Sequence, residues 1–157
     1  MKFYIALWIG KFINFLINII DKKRGSNFSG EKAIMIDPKM IAHFKGLDTE
    51  KMLFITGTNG KSTSNNLIYH IFKNNGYKVI SNLEGANLMA GVATALIKNS
   101  SVTGKVNADY FIFEVDERFL PSIHELLPAK TFLLLIYKKI KFTETVIRTS
   151  YTESFCL

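Results

Sequence analysis

A single cysteine, Cys156, serves all 157 residues. No disulfide can close within such a chain, and no multi-cysteine metal site can form in it. A reducing, cytoplasmic setting fits that usage. The three histidines, His43, His70 and His124, are scattered among helical stretches with no partner motif, so none is read as a catalyst. Acids are scarce too: 13 stand against 20 lysines and arginines, for a net charge of +7. That balance favours anionic partners, and phosphates or anionic lipids satisfy it as well as nucleic acid does. Nucleic acid is not expected, because no basic stripe with interleaved aromatics occurs outside the N-terminus. Internal repeats and low-complexity tracts are also missing. So is a small-residue cleavage site after the first apolar run, which argues against a secretory signal peptide.

What the chain has in excess is apolar surface at its start. Hydrophobic residues make up 48% of the sequence and the mean hydropathy is +0.14, with the surplus concentrated between Phe3 and Ile20. That run is marginally long enough to span a bilayer. At about 100° per residue, however, Tyr4, Lys11, Asn14, Asn18 and Lys22 fall within one stripe roughly 80° wide. A lipid-spanning helix gains nothing from a polar stripe, whereas a docked or interfacial helix does. Asp21-Lys-Lys-Arg24 follows, a basic cluster suited to anionic headgroups. Packing on the rest of the protein, lying on a membrane surface and crossing it are therefore all open, in that order of preference.

Beyond a turn-rich connector, Gly25 to Gly30, the pattern predicts a short strand over Ala33 to Ile36. Asp37 and Pro38 then read as N-cap and first position of a helix reaching about Gly46. Strands are expected over 52–56, 78–81, 110–115 and 130–135, and helices over 62–75, 88–98 and 121–127. On the first of these helices Leu67, Ile68, Ile71 and Phe72 share a face, and Gly76 is its stop. Strands alternating with helices predict an α/β fold, a parallel sheet covered on both faces.

The most informative stretch is Leu53-Phe-Ile-Thr-Gly57-Thr-Asn-Gly60-Lys61-Ser62-Thr63. A strand that turns sharply into a helix exposes free backbone N–H groups at the helix start, which together with the helix dipole attract phosphate. Glycine lets the backbone approach the anion, Lys61 adds a point charge, and Ser62 can ligate Mg²⁺. The standard spelling G-x-x-x-x-G-K-[ST] calls for glycine where Ile55 stands. The remaining G-x-x-G-K-[ST] is weak alone and is strengthened by the strand before it and the helix after it. Tyr110-Phe-Ile-Phe113 runs into Glu114-Val-Asp116-Glu117 at the carboxyl end of another strand, where sites on open parallel sheets gather. An acid there can hold phosphate-bound Mg²⁺. Spacing alone leaves Asp116 and Glu117 as alternatives to Glu114. The loop Asn82 to Asn87 (NLEGAN) should face the same crevice, either as a contact to substrate or phosphate or as a simple turn.

The spelling Thr56-Gly-Thr-Asn-Gly-Lys-Ser-Thr63 resembles the ATP loop of the Mur ligase family. Gly30 to Pro38 (GEKAIMIDP), Gly76 to Gly91 (GYKVISNLEGANLMAG) and Tyr110 to Pro121 (YFIFEVDERFLP) resemble its MurT branch, subunits of lipid II isoglutaminyl synthase. The likeness covers residues 1 to 134, roughly. It implies a parallel-sheet, P-loop-type central ATP-binding domain over 25–134, incomplete, preceded by an amphipathic helix over 1–24. It also implies ATP and Mg²⁺ as cofactors, with Gly57, Thr58, Asn59, Gly60, Lys61, Ser62 and Thr63 around the phosphates. Lys61 would stabilise the transferring phosphoryl group, and Ser62 and Glu114 would hold the metal. Thr63 would otherwise pack behind the loop. The implied activity is amidation of the D-glutamate α-carboxylate of lipid II in peptidoglycan synthesis, through an acyl phosphate. Ammonia would come from a GatD-type glutamine amidotransferase partner. A cytoplasmic protein at the inner face of the plasma membrane would suit that lipid-linked substrate. Other muramyl or folylpolyglutamate-type ligases, and a nucleotide-binding module without catalysis, are the rival readings. No separate UDP-binding domain precedes the loop, which speaks against an ordinary muramyl ligase.

The resemblance stops after the fourth strand. The family continues with T-N and then D-Q-x-x-R-x-G, whereas here residues 135–157 read LIYKKIKFTETVIRTSYTESFCL. Shifting the frame permits TNLQKDQVHRNG, so the tail is expected to be out of frame from near Phe132 to Leu135. Resequencing there tests this, and a clean in-frame read refutes it. The four-cysteine zinc ribbon found downstream in relatives is not in this sequence, and no zinc is expected. Half a cleft positions little, so this chain by itself is expected to be an inactive fragment.

Overall fold

The computed structural model describes residues 1–20, 27–83 and 88–136. The basic cluster Asp21–Arg24, most of the NLEGAN loop and nearly all of the aberrant tail lie outside them. Four strands form one sheet in the order β2-β3-β1-β4: β1 (Met52–Gly57), β2 (Val79–Ser81), β3 (Tyr110–Glu114) and β4 (Thr131–Leu135). Every pairing is parallel, so all four carboxyl ends meet at one edge. The inner pair, β1 and β3, is buried almost throughout, as strands covered on both faces require. Phe54, Phe113 and Phe132 stack across three neighbouring strands at centroid separations of 6.4 and 5.9 Å. The edge strand β4 leaves Leu134 exposed, and Ile136 just beyond it as well.

Helix α3 (Lys61–Asn74) packs on β1, β2 and β3. It ends where Gly76 takes φ +85°, a conformation that costs other residues. Its facing is not the expected one: Asn65 is buried, while Leu67 and Ile71 are exposed. Helix α4 (Met89–Asn99) is buried over eight consecutive residues, Ala90 to Ile97, because helices cover it from the side away from the sheet.

The region before β1 corrects the sequence reading. Residues 28–36 are not a connector and a strand but a helix, α2 (Phe28–Ile36). Ser29, Gly30 and Ala33, small residues spaced i, i+1 and i+4, form its buried side. They let α2 come so close to α4 that a Cβ on Gly30 would lie 2.0 Å from the Ala90 carbonyl oxygen. The Gly30 N–H donates to Thr94 Oγ1 at 3.0 Å across this contact. The helix predicted from Asp37 to Gly46 is a turn and a short 3-10 segment, Met40–His43. Asp37 accepts there from the Lys39 N–H and from His43 Nδ1 at 2.9 Å. His43 therefore does have a partner, a structural one.

Helix α1 (Lys2–Ile20) lies against α2 and α4. Lys11 and Asn14, from its polar stripe, face the protein rather than solvent. Lys11 Nζ donates to the Ile97 and Ser100 carbonyl oxygens at 2.9 and 2.5 Å. These acceptors lie at the end of α4, where a cation is favoured; the Ile97 oxygen also accepts from Ser100 Oγ at 3.2 Å. Burial there lowers the Lys11 pKa from its ordinary value. Short helix α5 (Leu120–Leu126) links β3 to β4, with His124 Nε2 beside the Ala129 carbonyl oxygen at 3.1 Å.

Candidate functional site at the carboxyl edge of the sheet

The phosphate-loop residues sit where strand β1 gives way to helix α3. Gly57 ends β1 with φ +131° and Gly60 precedes α3 in the left-handed region at φ +84°. Gly57 is pressed against the neighbouring strand: a Cβ there would lie 2.0 Å from the Leu135 carbonyl oxygen. That same oxygen accepts from the Thr58 N–H at 3.0 Å, so β4 pins the loop's entry. Around Gly60 the space is open, the nearest atom to a built Cβ being Leu135 Cδ1 at 3.8 Å.

The first helical bond of α3 runs from the Ser64 N–H to the Gly60 carbonyl at 2.9 Å. The N–H groups of Lys61, Ser62 and Thr63 therefore precede the hydrogen-bonded ladder, as the first donors of any helix do. Thr58, Asn59, Gly60, Ser62 and Thr63 are all exposed. Thr63 thus does not pack behind the loop. Lys61 is mostly covered, and its ammonium folds back to donate to the Gly57 carbonyl oxygen. This leaves a solvent-open run of main chain at a helix start with a cation lying across it, an arrangement that suits an anion such as a polyphosphate. Thr56 Oγ1, buried just before the loop, has no hydrogen-bond partner among the described residues.

Three acids follow β3, and the structure separates them. Asp116 is forked by Arg118, with Nε to Oδ1 at 3.0 Å and Nη2 to Oδ2 at 3.2 Å. That hydrogen bonding lowers the Asp116 pKa from 3.8 to about 2 and raises that of Arg118. Glu117 Oε2 stands 3.9 Å from Lys61 Nζ, which brings the turn after β3 up against the phosphate loop. Glu114 is the last residue of β3, pairs in register with Ile55 and is only 5% exposed.

Sequence reasoning missed how Glu114 is held. The Asn82 side chain, just past β2, grips its main chain from both sides: Oδ1 accepts from the Glu114 N–H, and Nδ2 donates to the Glu114 carbonyl oxygen, each at 2.8 Å. The amide extends the β2–β3 ladder by one rung where the β2 backbone has left it. Beside it, Ser81 Oγ donates to Asn65 Oδ1 at 3.0 Å, tying β2 to α3. Asn82 had been expected to face the crevice; it is buried and turned towards the sheet. A cavity of about 150 Å³ next to it is bordered by Ser81, Leu83, Thr94 and Lys98. It lies between β2 and α4, whereas the phosphate loop is an open surface.

These residues fit Mg²⁺ carried by a nucleotide better than a metal held by protein alone. Among the described residues no group of three or more His, Cys, Asp or Glu could hold an ion. Mg²⁺ on a nucleotide needs only one or two side-chain ligands besides phosphate oxygens and water.

Residues 55–131 match the Mur ligase middle domain. The chain is 36% identical over 108 residues to the lipid II isoglutaminyl synthase (glutamine-hydrolyzing) subunit MurT of Staphylococcus aureus strain COL, an overlap covering 68% of this chain and 24% of the relative. It is 30% identical over 135 residues to the subunit of the same name from Streptococcus pneumoniae, covering 85% of this chain and 29% of the relative. UDP-N-acetylmuramoylalanine--D-glutamate ligase of Bacteroides thetaiotaomicron is 35% identical over 83 residues, 52% of this chain and 16% of the relative. The chain thus spans less than a third of the length of the MurT relatives, 24% in one and 29% in the other.

Proposed function

The chain belongs to the Mur ligase family, with the middle domain of that family over residues 55–131, and from that premise we propose that it supplies the ATP-binding part of an amide ligase of peptidoglycan synthesis. The substrate in this reading is the D-glutamate α-carboxylate of lipid II. Phosphorylation makes that carboxylate an acyl phosphate, and ammonia from a GatD-type glutaminase subunit displaces the phosphate to leave an amide. The protein works on the cytoplasmic side of the membrane, where a lipid-linked substrate can reach it.

One observation carries this reading. A left-handed glycine, Gly60, opens helix α3 at the same sheet edge as the buried acid Glu114 that ends β3, with Lys61 lying between the Gly57 carbonyl and Glu117 of the turn after β3. The main-chain N–H groups of Lys61, Ser62 and Thr63, which precede the helical ladder, bind and orient phosphate oxygens in the loop that Gly57 to Gly60 shape. Lys61 leaves the Gly57 carbonyl to meet the γ-phosphate, where a fixed cation counters charge that develops in transfer. Ser62 and Glu114 hold Mg²⁺, which when bound neutralises phosphate charge. Asn82 keeps the Glu114 backbone in place.

Lys61→Ala tests the assignment. The side chain is at the surface end of a helix and its loss should leave the fold intact. Binding of an ATP analogue with Mg²⁺, measured by calorimetry, should fall by roughly tenfold or more, the effect of losing one charge-assisted contact. Unchanged affinity would sink the phosphate-loop reading. Turnover separates ligase from binding module: ATP hydrolysis coupled to lipid II amidation, with glutamine and the partner subunit present, marks the former. Nucleotide binding without it marks the latter.

A further inference from the structure

Helix α1 is built inside out. Lys11 and Asn14 of its polar stripe are turned into the protein while Tyr4 and Asn18 are exposed, and its outer side is a ridge of Ile5, Trp8, Phe12, Phe15 and Ile19, all exposed. Trp8 is 58% exposed and Phe12 and Phe15 are each 61% exposed. With Ile9 and Leu16 alongside, the apolar face spans about 120° at 100° per residue. Soluble helices put such a face on the core. Here the core side is already taken by Ala6, Leu7 and Gly10, and the bulky side chains of the outer side are covered only in part by their own protein among the described residues, Trp8 being held at its edge by donation from Nε1 to the Val102 carbonyl oxygen at 3.0 Å.

The charge around this face identifies its occupant. Residues 2–20 contain no acid. Lys2 is exposed at one end, and in sequence Lys22, Lys23 and Arg24 follow the other. Lys105 is exposed next to Gly104, whose Cα sits under Phe3 and Leu7 of the same helix. A second copy would bring like charges together, since Asp21 is the only acid in residues 2–24. An anionic lipid surface answers all of them at once. The helix is also long and apolar enough to cross a bilayer, with a mean hydropathy of 1.3 over Lys2–Ile19. Crossing would tear Lys11 from the α4 carbonyls and strip that helix end of its cap, so the geometry selects a helix lying in the interface plane.

We propose that the outward face of α1 docks this protein on anionic phospholipid, with the Trp8 and Phe12 side of the helix sunk among the acyl-chain ends and Lys2 at headgroup level. The docking requires nothing of the phosphate loop and stands or falls apart from the nucleotide reading.

Trp8 is the only tryptophan in the chain, so its emission reports on this face alone. The full chain, without nucleotide, is mixed with vesicles of phosphatidylcholine containing phosphatidylglycerol. Trp8 emission should shift to the blue, brominated lipid should quench it, and the protein should float with the vesicles. Pure phosphatidylcholine or high salt should weaken binding, and carbonate should extract it. The exposed-site variant Phe12→Ser/Phe15→Ser should keep the circular dichroism of the parent and lose about tenfold or more in partition, since two aromatic contacts with lipid go. Four results would overturn the proposal. These are no shift with phosphatidylglycerol, variant binding equal to the parent's, resistance to carbonate, or a blue Trp8 spectrum without lipid, which would mean that protein covers the face.

Discussion

Helices α3 and α1 both turn an asparagine inward and leave large apolar side chains outside, but they do it under different constraints. In α3, Asn65 is 1% exposed and accepts from Ser81 at the sheet edge. The helix start is dictated by Gly57 and Gly60, and the large exposed apolar residues of α3 are limited to Leu67 and Ile71, one turn apart. In α1, Asn14 is buried with its Nδ2 donor unpaired among the described residues, and the outward apolar side runs the length of the helix. A polar group is fully satisfied where it fixes the position of strands around the phosphate loop. It is left short of a partner where a helix has been turned round to present apolar surface elsewhere. Site-building and surface-building thus leave different signatures on the same residue type.

The sharpest way to break the comparison is at the loop. Gly57→Ala sets a methyl 2.0 Å from the Leu135 carbonyl oxygen at φ +131°, where neither backbone can give way. A loss of more than about 4 kcal/mol is expected, close to the whole stability of many domains, and chemical denaturation measures it. Gly60→Ala meets only a leucine methyl at 3.8 Å. It should cost about 1–2 kcal/mol for the left-handed backbone alone. If the two substitutions cost the same, β4 does not pin the loop.

Asn82→Ala comes next. It strips both main-chain groups of Glu114 of their partner in a buried place, at about 1–3 kcal/mol for each unsatisfied group. Because Glu114 then loses its fixed position, Mg²⁺-dependent nucleotide binding should weaken while binding in chelator stays as it was. Equal loss in both conditions would reduce Asn82 to a purely structural residue.

Much of this edge was legible in the sequence, because its signals are tied to backbone geometry. An apolar run, two glycines and a lysine at the head of an amphipathic stretch permit one arrangement, and β1, α3, β3 and β4 fall within a residue or two of their expected bounds. Gly76 ends α3 for the reason that its residue type announces. The Asn82 clamp was not legible, since it joins positions 32 apart in the chain and no local pattern marks it. Helix α2 was misread because Ala33-Ile-Met-Ile36 has strand composition. The small residues Ser29, Gly30 and Ala33 were the competing signal, at helical spacing, and packing on α4 decided the matter. For α1 the obstacle is one of principle. Periodicity finds a polar stripe and an apolar stripe on a helix, yet it is the same whichever of them faces the protein. The orientation is set by what the end of α4 offers, two carbonyl acceptors for Lys11, and those come from residues 97 and 100.

That dependence gives the smallest and most discriminating test, Asn14→Leu. The volumes are similar, and the substitution removes a buried donor that has no acceptor. An unpaired buried donor carries its desolvation cost with no return, so replacing it should be neutral or should stabilise by about 1 kcal/mol. The same change at Asn65 strands the Ser81 hydroxyl and should destabilise by about 1–3 kcal/mol. Thermal unfolding of the two variants side by side reads the difference directly. Opposite signs mean that α3 is held by a polar contact and α1 by fit and by the Lys11 cap. Equal losses mean that Asn14 is paired in solution, and that α1 is fastened to the domain by the same kind of bond that fastens α3.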